Sequence, residues 1–193
     1  MLTSARAGHG FSLIELLVAM AIMGLLMAAA IPTFSVWIAN SRVRTTAESI
    51  QNGLMLAKAE AVRRNAKVQF VMTASAPTVA NINTITPATT GSNWLVRVYQ
   101  APHATTGVTV YTAADFIQGR SSAEGGRNTT VVAGQASIVF SGMARLSPIP
   151  AVTVNVDVDG TGADRELRIA VTQGGAIRMC DPALRIATST MGC

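Results

Sequence analysis

The sequence predicts an α+β protein in which one long N-terminal helix packs on an antiparallel β-sheet. An apolar run near the N-terminus continues into a segment with helical periodicity. From residue 68 the apolar positions instead alternate with a period of two, and polar or glycine-rich loops separate the later segments. Several strands that follow a single helix are typical of the α+β class.

Composition sets broad limits on function. The 193 residues are enough for one domain with an appended element. Apolar residues make up 49% of the chain and charged residues 13%, with a net charge of +5 that comes almost entirely from arginine. This balance permits contact with phosphates or acidic surfaces without requiring it. Aromatic residues are only 5%, which argues against an extended stacking platform for single-stranded nucleic acid.

The apolar run is long enough to cross a membrane. Residues 16–41 include no charged residue, and as a helix they would extend roughly 39 Å, more than the ~30 Å of bilayer hydrocarbon. A cleaved secretory signal would need a shorter apolar core followed by a small-residue cleavage site. Here the best small-residue site, residues 8–10, precedes the run. We therefore expect the apolar helix to remain on the mature protein.

Glu15 is the unusual residue of this segment. It stands at the start of the apolar run, and a carboxylate at mid-bilayer costs on the order of 3 kcal/mol. Two interpretations follow. The side chain extends to the membrane surface, or it binds a cation within an assembly, such as a new α-amino group created by cleavage before Phe11.

The run GFSLIELLVAMAIMGLLMAAAIP resembles the N-terminal signature of type IV pilins and type II secretion pseudopilins. The resemblance implies that a prepilin peptidase cuts between Gly10 and Phe11 and methylates the new amine. It also implies that Glu15 pairs with the Phe11 amine of a neighbouring pilin or pseudopilin subunit. The protein would then be a single-pass protein of the bacterial inner membrane with a periplasmic head. An ordinary membrane anchor with a chance glutamate is the alternative.

The remaining chain shows one amphipathic helix and then strands. Apolar residues spaced alternately by four and three predict a helical stripe that packs on the head and ends near Asn65; they are Val43, Ala47, Ile50, Leu54, Ala57 and Ala61. The predicted strands lie within residues 67–72, 94–100, 107–112, 130–133, 136–140, 151–159 and 166–172. The last two should form a hairpin, because Leu167, Ile169 and Val171 match the valines at 152, 154, 156 and 158 across the loop DGTGADR.

Three further stretches resemble the GspH/FimT family of minor pseudopilins and minor type IV pilins. They are GLMLAKAEAVRRN, IVFSGMAR and GGAIRMCDPALRIATSTMGC, and the RMCDPAL ending favours the pilus branch. The expected organisation is a leader at 1–10, a transmembrane and assembly helix at 11–41, an amphipathic helix at 42–66 and a β-rich head at 67–193. The family comprises subunits that are not enzymes.

The C-terminal segment contains two candidate features. Cys180 and Cys193 either form a disulfide or are two unrelated thiols, and the oxidising compartment implied by the membrane segment favours the disulfide. The same region resembles a Gly-Arg-x-Arg-x-Cys motif whose arginines contact DNA in the FimT branch linked to DNA uptake. Residues 175–180 retain only the second arginine, Arg178. Arg178 and Arg185 are thus candidate double-stranded DNA contacts, with two solvated surface arginines as the favoured interpretation.

Metal binding and catalysis find little support. Asn155, Asp157, Asp159, Gly160 and Glu166 have the spacing of a calcium loop. The flanking patterns are strands rather than the helices of an EF-hand, so a hairpin turn with solvated acids is favoured over a calcium-supported one. His103 stands alone, His9 lies in the expected leader, and the sequence indicates no catalytic residue, metal ligand set or cofactor.

Overall fold

The computed structural model describes residues 12–124, 128–148 and 153–193, without the side chains of 29, 30 and 32. It begins with one continuous helix, α1, which runs for 52 residues over Leu13–Arg64. The hydroxyl of Ser12 caps its first turn. Its last turn closes at Asn65, whose left-handed backbone (φ 46°) directs its N–H to the carbonyls of Ala61 and Val62. The predicted end of the helix near Asn65 is confirmed.

In the described part of the chain, eight strands follow the helix and form two antiparallel sheets of four strands each. The strands are β1 (Val68–Thr73), β2 (Asn93–Val98), β3 (Phe116–Arg120), β4 (Thr129–Ala133), β5 (Ser137–Phe140), β6 (Val154–Gly160), β7 (Leu167–Val171) and β8 (Ile177–Cys180). The first sheet has the order β3-β2-β1-β5 and the second the order β4-β6-β7-β8. The predicted α+β class is confirmed, with the strands divided between two sheets.

The predicted β6–β7 hairpin is confirmed in register. Val154, Val156 and Val158 are paired with Val171, Ile169 and Leu167 respectively. These valines are buried, while Asn155 and Asp157 between them are only half-buried, as the alternation requires. Val152, which the prediction included, lies outside the described residues.

The strand predictions were wrong at three places. Residues 107–112 form no strand, and their Val108 and Val110 are exposed, because the chain there makes a local turn in which Val108 and His103 share a backbone hydrogen bond. In contrast, β3 lies between the predicted strands at 107–112 and 130–133, where no strand was predicted, and it pairs with β2. β8 was also not predicted as a strand. Alternation alone does not identify a strand, because a strand also needs a partner elsewhere in the chain.

The C-terminal half of α1 packs against both sheets. All six residues of the predicted stripe are buried in one core cluster with residues of both sheets, which confirms the stripe. Gly53 lies against two aromatic rings of the first sheet. A Cβ there would be 2.7 Å from the Phe70 ring and 3.0 Å from the Trp94 ring. The Trp94 indole N–H donates to Ser49 Oγ at 3.0 Å, so its polar atom is satisfied inside the core.

A linking loop, residues 74–92 between β1 and β2, connects the two sheets. Gly91 N donates to Val131 O at 3.2 Å, and Ala133 N donates to Thr89 O at 2.7 Å, so the loop pairs with β4. Gly91 has φ of +119°, and a Cβ would be 2.8 Å from Thr73 O, so this crossing requires glycine. The outer edge of β4 is therefore covered by the loop.

Candidate functional site

The N-terminal half of α1 exposes apolar side chains on every side. The described large apolar side chains from Leu13 to Phe34, and that of Trp37, are 51–77% exposed. Among the described residues, α1 is the one helix long and apolar enough to cross a membrane, and its apolar window has no residue buried against the head. So large an apolar surface needs lipid or the helices of other subunits around it.

Glu15 lies in the first turn of α1. Its backbone N–H donates to Ser12 Oγ at 3.2 Å, and its side chain is exposed. A carboxylate in this turn is favoured by the partial positive charge of the helix N-terminus. Gly10 and Phe11 lie outside the described residues. Cleavage between them and the pairing of Glu15 with a Phe11 amine therefore stay predictions.

The head begins on α1 about one turn after an exposed aromatic pair. The rings of Phe34 and Trp37 stack with their centroids 5.7 Å apart on the exposed helix. One turn later Asn40 bonds to the β6–β7 loop: its amide N–H donates to Asp164 Oδ1 at 2.6 Å, and Asp164 N donates to Asn40 Oδ1 at 3.2 Å. These two bonds join residues 124 positions apart, and they attach the base of the head to the helix.

The C-terminal tail, residues 181–193, is closed by the predicted disulfide. Cys180 and Cys193 are bonded, with a Cα–Cα distance of 5.2 Å, so the prediction is confirmed. Backbone bonds tighten the ring: Asp181 N donates to Met191 O at 2.7 Å, and Cys193 N donates to Asp181 O at 3.2 Å. The tail is therefore a compact ring attached to the end of β8.

The structure places the two candidate DNA-contact arginines in different surroundings. Arg178 Nη2 donates to Thr190 O at 3.0 Å and to Gly192 O at 2.6 Å, so its guanidinium supports the ring of the tail. Arg185 lies within the ring with an exposed side chain. An internal role for Arg178 was not predicted, because it depends on where the tail folds back.

The acids of the β6–β7 hairpin are engaged within the hairpin. Asp157 Oδ1 accepts a hydrogen bond from Arg168 Nε at 2.5 Å, and Asp159 Oδ1 accepts one from Gly160 N at 2.7 Å. The flanking elements are the antiparallel strands β6 and β7 rather than the helices of an EF-hand. Within the described ranges, no group of three or more His, Cys, Asp or Glu residues is placed to hold a metal ion.

The end of α1 carries a small ion-pair network. Glu60 accepts hydrogen bonds from Arg63 at 2.7 and 2.9 Å and from Arg64 at 2.8 Å. The hydrogen bonds from Arg63 and then Arg64 lower the pKa of the Glu60 carboxyl from 4.5 to about 2. Glu60 thus offsets one of two neighbouring positive charges, which weakens this helix end as a phosphate-binding patch.

Sequence reasoning missed a buried arginine in the first sheet. Arg97 is 5% exposed; its guanidinium lies 3.7 Å from the centre of the Tyr111 ring and donates to Ile82 O at 2.8 Å. Its Nη2 and the Tyr111 hydroxyl each donate to the Gln69 side-chain oxygen at 3.0 Å. Burial lowers the pKa of Arg97. This cluster holds two irregular loops against the sheet, and an arginine inside the apolar run WLVRV was the available signal.

The chain matches two family models. One, described as a prokaryotic N-terminal methylation motif, matches residues 6–31, and the other, described as type II transport protein GspH, matches residues 46–175. No curated protein matches the chain.

Three solved structures are similar to the chain. The type IV minor pilin FimU of Pseudomonas aeruginosa (strain PAO1) is 14% identical over 72% of this chain and 89% of that chain, with a TM-score of 0.49. A second crystal form of FimU is 15% identical over 70% and 90%, with a TM-score of 0.46. The minor pseudopilin EpsH from the type 2 secretion system of Vibrio cholerae is 10% identical over 74% and 99%, with a TM-score of 0.46.

An apolar N-terminal helix with a methylation motif, joined to a β-rich head, defines the minor pilin and pseudopilin class. The GspH model spans more than half of the chain, and the protein belongs to the GspH family. Subunits of this family are structural components rather than enzymes. Membership implies processing by a prepilin peptidase and assembly with other pilin-type subunits, and the apolar helix fits an inner-membrane anchor.

Proposed function

We propose that this protein is a minor pilin of a type IV pilus. A prepilin peptidase removes residues 1–10, the segment from Phe11 to Ser41 holds the subunit in the inner membrane, and residues 42–193 form its periplasmic head. The observation that supports the proposal most strongly is the all-round exposure of the described apolar side chains on residues 13–35. Such a surface can leave lipid only by packing against other apolar helices.

Glu15 is proposed to guide this transfer. A carboxylate without a partner costs on the order of 3 kcal/mol at mid-bilayer, and less at the membrane surface, where Glu15 lies when the hydrocarbon begins at Leu16. In a filament the positive Phe11 amine of a neighbouring subunit offsets that cost, and a subunit without this pairing leaves a buried charge. The Glu15 side chain is exposed, at the end of α1 farthest from the head, so the head does not obstruct a neighbour.

The test is recovery of a Glu15→Ala variant in filaments sheared from cells. We expect equal amounts of wild-type and variant in the membrane fraction. In sheared filaments we expect a loss of about tenfold or more, because removal of one partner of a buried ion pair costs about 3–5 kcal/mol. Glu48→Ala, at an exposed glutamate on the head portion of the same helix, is the matched control and should incorporate normally. Normal recovery of Glu15→Ala in sheared filaments would refute the proposal.

A pseudopilin of type II secretion is the second candidate. The description of the family model that covers residues 46–175 favours it, whereas the RMCDPAL ending favours the pilus. Deletion of the gene separates the two. Loss of surface pili with normal export of secreted proteins supports the minor pilin, and the reverse result supports the pseudopilin.

DNA uptake is a narrower form of the pilus proposal, with Arg178 and Arg185 as candidate phosphate contacts. Arg185→Ala is the cleaner test, because Arg178 also bonds to the tail backbone. If the tail binds DNA, gel shifts of the full chain in detergent should weaken for every DNA sequence, with the salt slope reduced by about one. An unchanged shift would exclude Arg185 as a contact.

A further inference from the structure

The head starts on α1 at the point where the exposed apolar helix ends. Side chains from Leu13 to Ser35 are exposed wherever they are described, Val36 and Ile38 are half-buried, and Ala39 is 6% exposed. Within the described helix, no solvated polar segment separates the apolar surface from the base of the head. The helix has therefore no spacer that would hold the head away from a membrane.

Helix geometry gives the position of the base of the head, at Asn40, relative to the bilayer. If the uncharged run enters the hydrocarbon at Leu16, ~30 Å of hydrocarbon takes up about 20 residues and ends near Ser35. The headgroup layer adds roughly 5–8 Å on each side of the hydrocarbon. Asn40 lies five residues beyond Ser35, or about 7.5 Å along the helix, and any tilt lowers that height. Asn40 is therefore at the level of the lipid headgroups.

The β6–β7 loop, residues 161–166, is attached to the helix at this level. The reciprocal hydrogen bonds between Asn40 and Asp164 join loop and helix directly. Beside them, a Cβ on Gly160 would be 2.7 Å from Val43 Cγ2, so glycine allows the end of β6 to lie against the helix. The loop cannot move far from the bilayer without breaking these contacts.

We propose that the β6–β7 loop lies in the headgroup layer of the periplasmic leaflet and holds the head against the membrane before assembly. The loop exposes Asp164, Arg165 and Glu166, and this mixture of charges fits a layer that contains both phosphates and ammonium groups. The aromatic pair of Phe34 and Trp37 lies at the same boundary, where aromatic residues favour the interface. The inference rests on the proposed membrane span of α1 but not on which filament the subunit joins.

The experiment uses the full chain reconstituted into vesicles of phosphatidylethanolamine and phosphatidylglycerol. A fluorophore is attached at Thr161→Cys, and a lipid with a nitroxide on its headgroup acts as the quencher. The control is Gly174→Cys in the β7–β8 turn, which adjoins Lys58 through the Lys58–Gly175 O bond at 2.8 Å. Lys58 lies 18 residues, or about 27 Å, farther along the helix than Asn40, so the control label is that much farther from the membrane.

We expect the label at Thr161 to lose most of its fluorescence and the label at Gly174 to lose little. Asn40→Ala should reduce the quenching at Thr161 without changing vesicle flotation, because it removes the attachment but not the span. An unquenched Thr161 label in a chain that floats with vesicles would overturn the inference while leaving the membrane span intact. A chain that does not float would instead refute the span, and with it the proposed function.

Lipid composition provides a second criterion. Since the loop carries both signs of charge, quenching at Thr161 should be similar with phosphatidylcholine in place of both lipids. Quenching that occurs only with the anionic lipid would mean nonspecific adsorption of a basic protein and would also overturn the inference.

Discussion

The two halves of α1 are one continuous helix with opposite relations to their surroundings. In residues 13–35 the described apolar side chains point in all directions and are exposed, whereas in residues 43–61 the buried apolar side chains form one stripe on the sheets. Helicity is common to both halves, so it does not distinguish them. The angular distribution of apolar residues does: a stripe indicates packing on the protein's own head, and an all-round distribution indicates lipid or other subunits.

The largest expected difference between the halves comes from shortening a leucine in each. Leu54 is fully buried, so Leu54→Ala should lower the free energy of unfolding of the head by about 2–5 kcal/mol. Leu26 is 63% exposed, and Leu26→Ala should leave head stability unchanged. Urea denaturation of the full chain in detergent, followed by near-ultraviolet circular dichroism, measures both. Equal losses would contradict the division of the helix.

Removal of the disulfide should lower the stability of the head without changing membrane binding by the N-terminal half of α1. The bridge joins residues 13 positions apart, and the loss of a loop of that size should destabilise the head by about 3 kcal/mol in the chain-entropy model. Cys180→Ser with Cys193→Ser, compared by the same denaturation, checks the value. Vesicle flotation of the double variant should remain at the wild-type level, and a defect there would show that tail and membrane helix are coupled.

Replacing one glycine in each half of α1 should have a smaller effect on stability. We expect Gly53→Ala to destabilise the head and Gly24→Ala to leave it unchanged. Gly53→Ala would place a Cβ 2.7 Å from Phe70, so overpacking of about 1–3 kcal/mol should exceed the gain of about 1 kcal/mol in helix propensity. Gly24→Ala meets no atom within 4 Å and should not lower stability. Thermal unfolding of both variants distinguishes them. A more stable Gly53→Ala would show that the helix can move away from the first sheet.

The smallest effect is the pH dependence of the Glu60 network. The folded pKa of about 2 lies below the ordinary 4.5, so the stabilisation is complete above pH 4.5 and is lost as pH falls toward 2. The arginines are partly exposed, which limits the contribution to below about 1 kcal/mol. Glu60→Gln should therefore destabilise the head slightly at pH 7 and not at pH 2. Glu124→Gln, whose carboxylate is 3.8 Å from Arg120, should change less.

Features set by neighbouring residues were predictable from the sequence. The stripe of α1, the end of the helix near Asn65 and the β6–β7 hairpin each depend on periodicity or turn chemistry within a few residues. The false strand at 107–112 and the missed β3 show the limit. Both segments are short, and only the pairing of Gln118 with Val96 in another strand decides which one becomes part of a sheet.

For the candidate sites, residue types were predictable from the sequence, but contacts between distant residues were not. The methylation motif and the two cysteines are visible as residue types at fixed positions. The Asn40–Asp164 contact and the bonds of Arg178 to the tail backbone are not, because each joins groups that only the folded chain brings together. The burial of Arg97 likewise depends on two loops that cover it.

The linking loop between β1 and β2 has a mechanical consequence. α1 contacts both sheets, and the loop joins the first sheet to β4 of the second through the bonds at Thr89 and Gly91. A tensile load applied along the helix therefore reaches both sheets and cannot peel one of them away while the other stays in place. The head should yield under force as one unit, with a single rupture event rather than two.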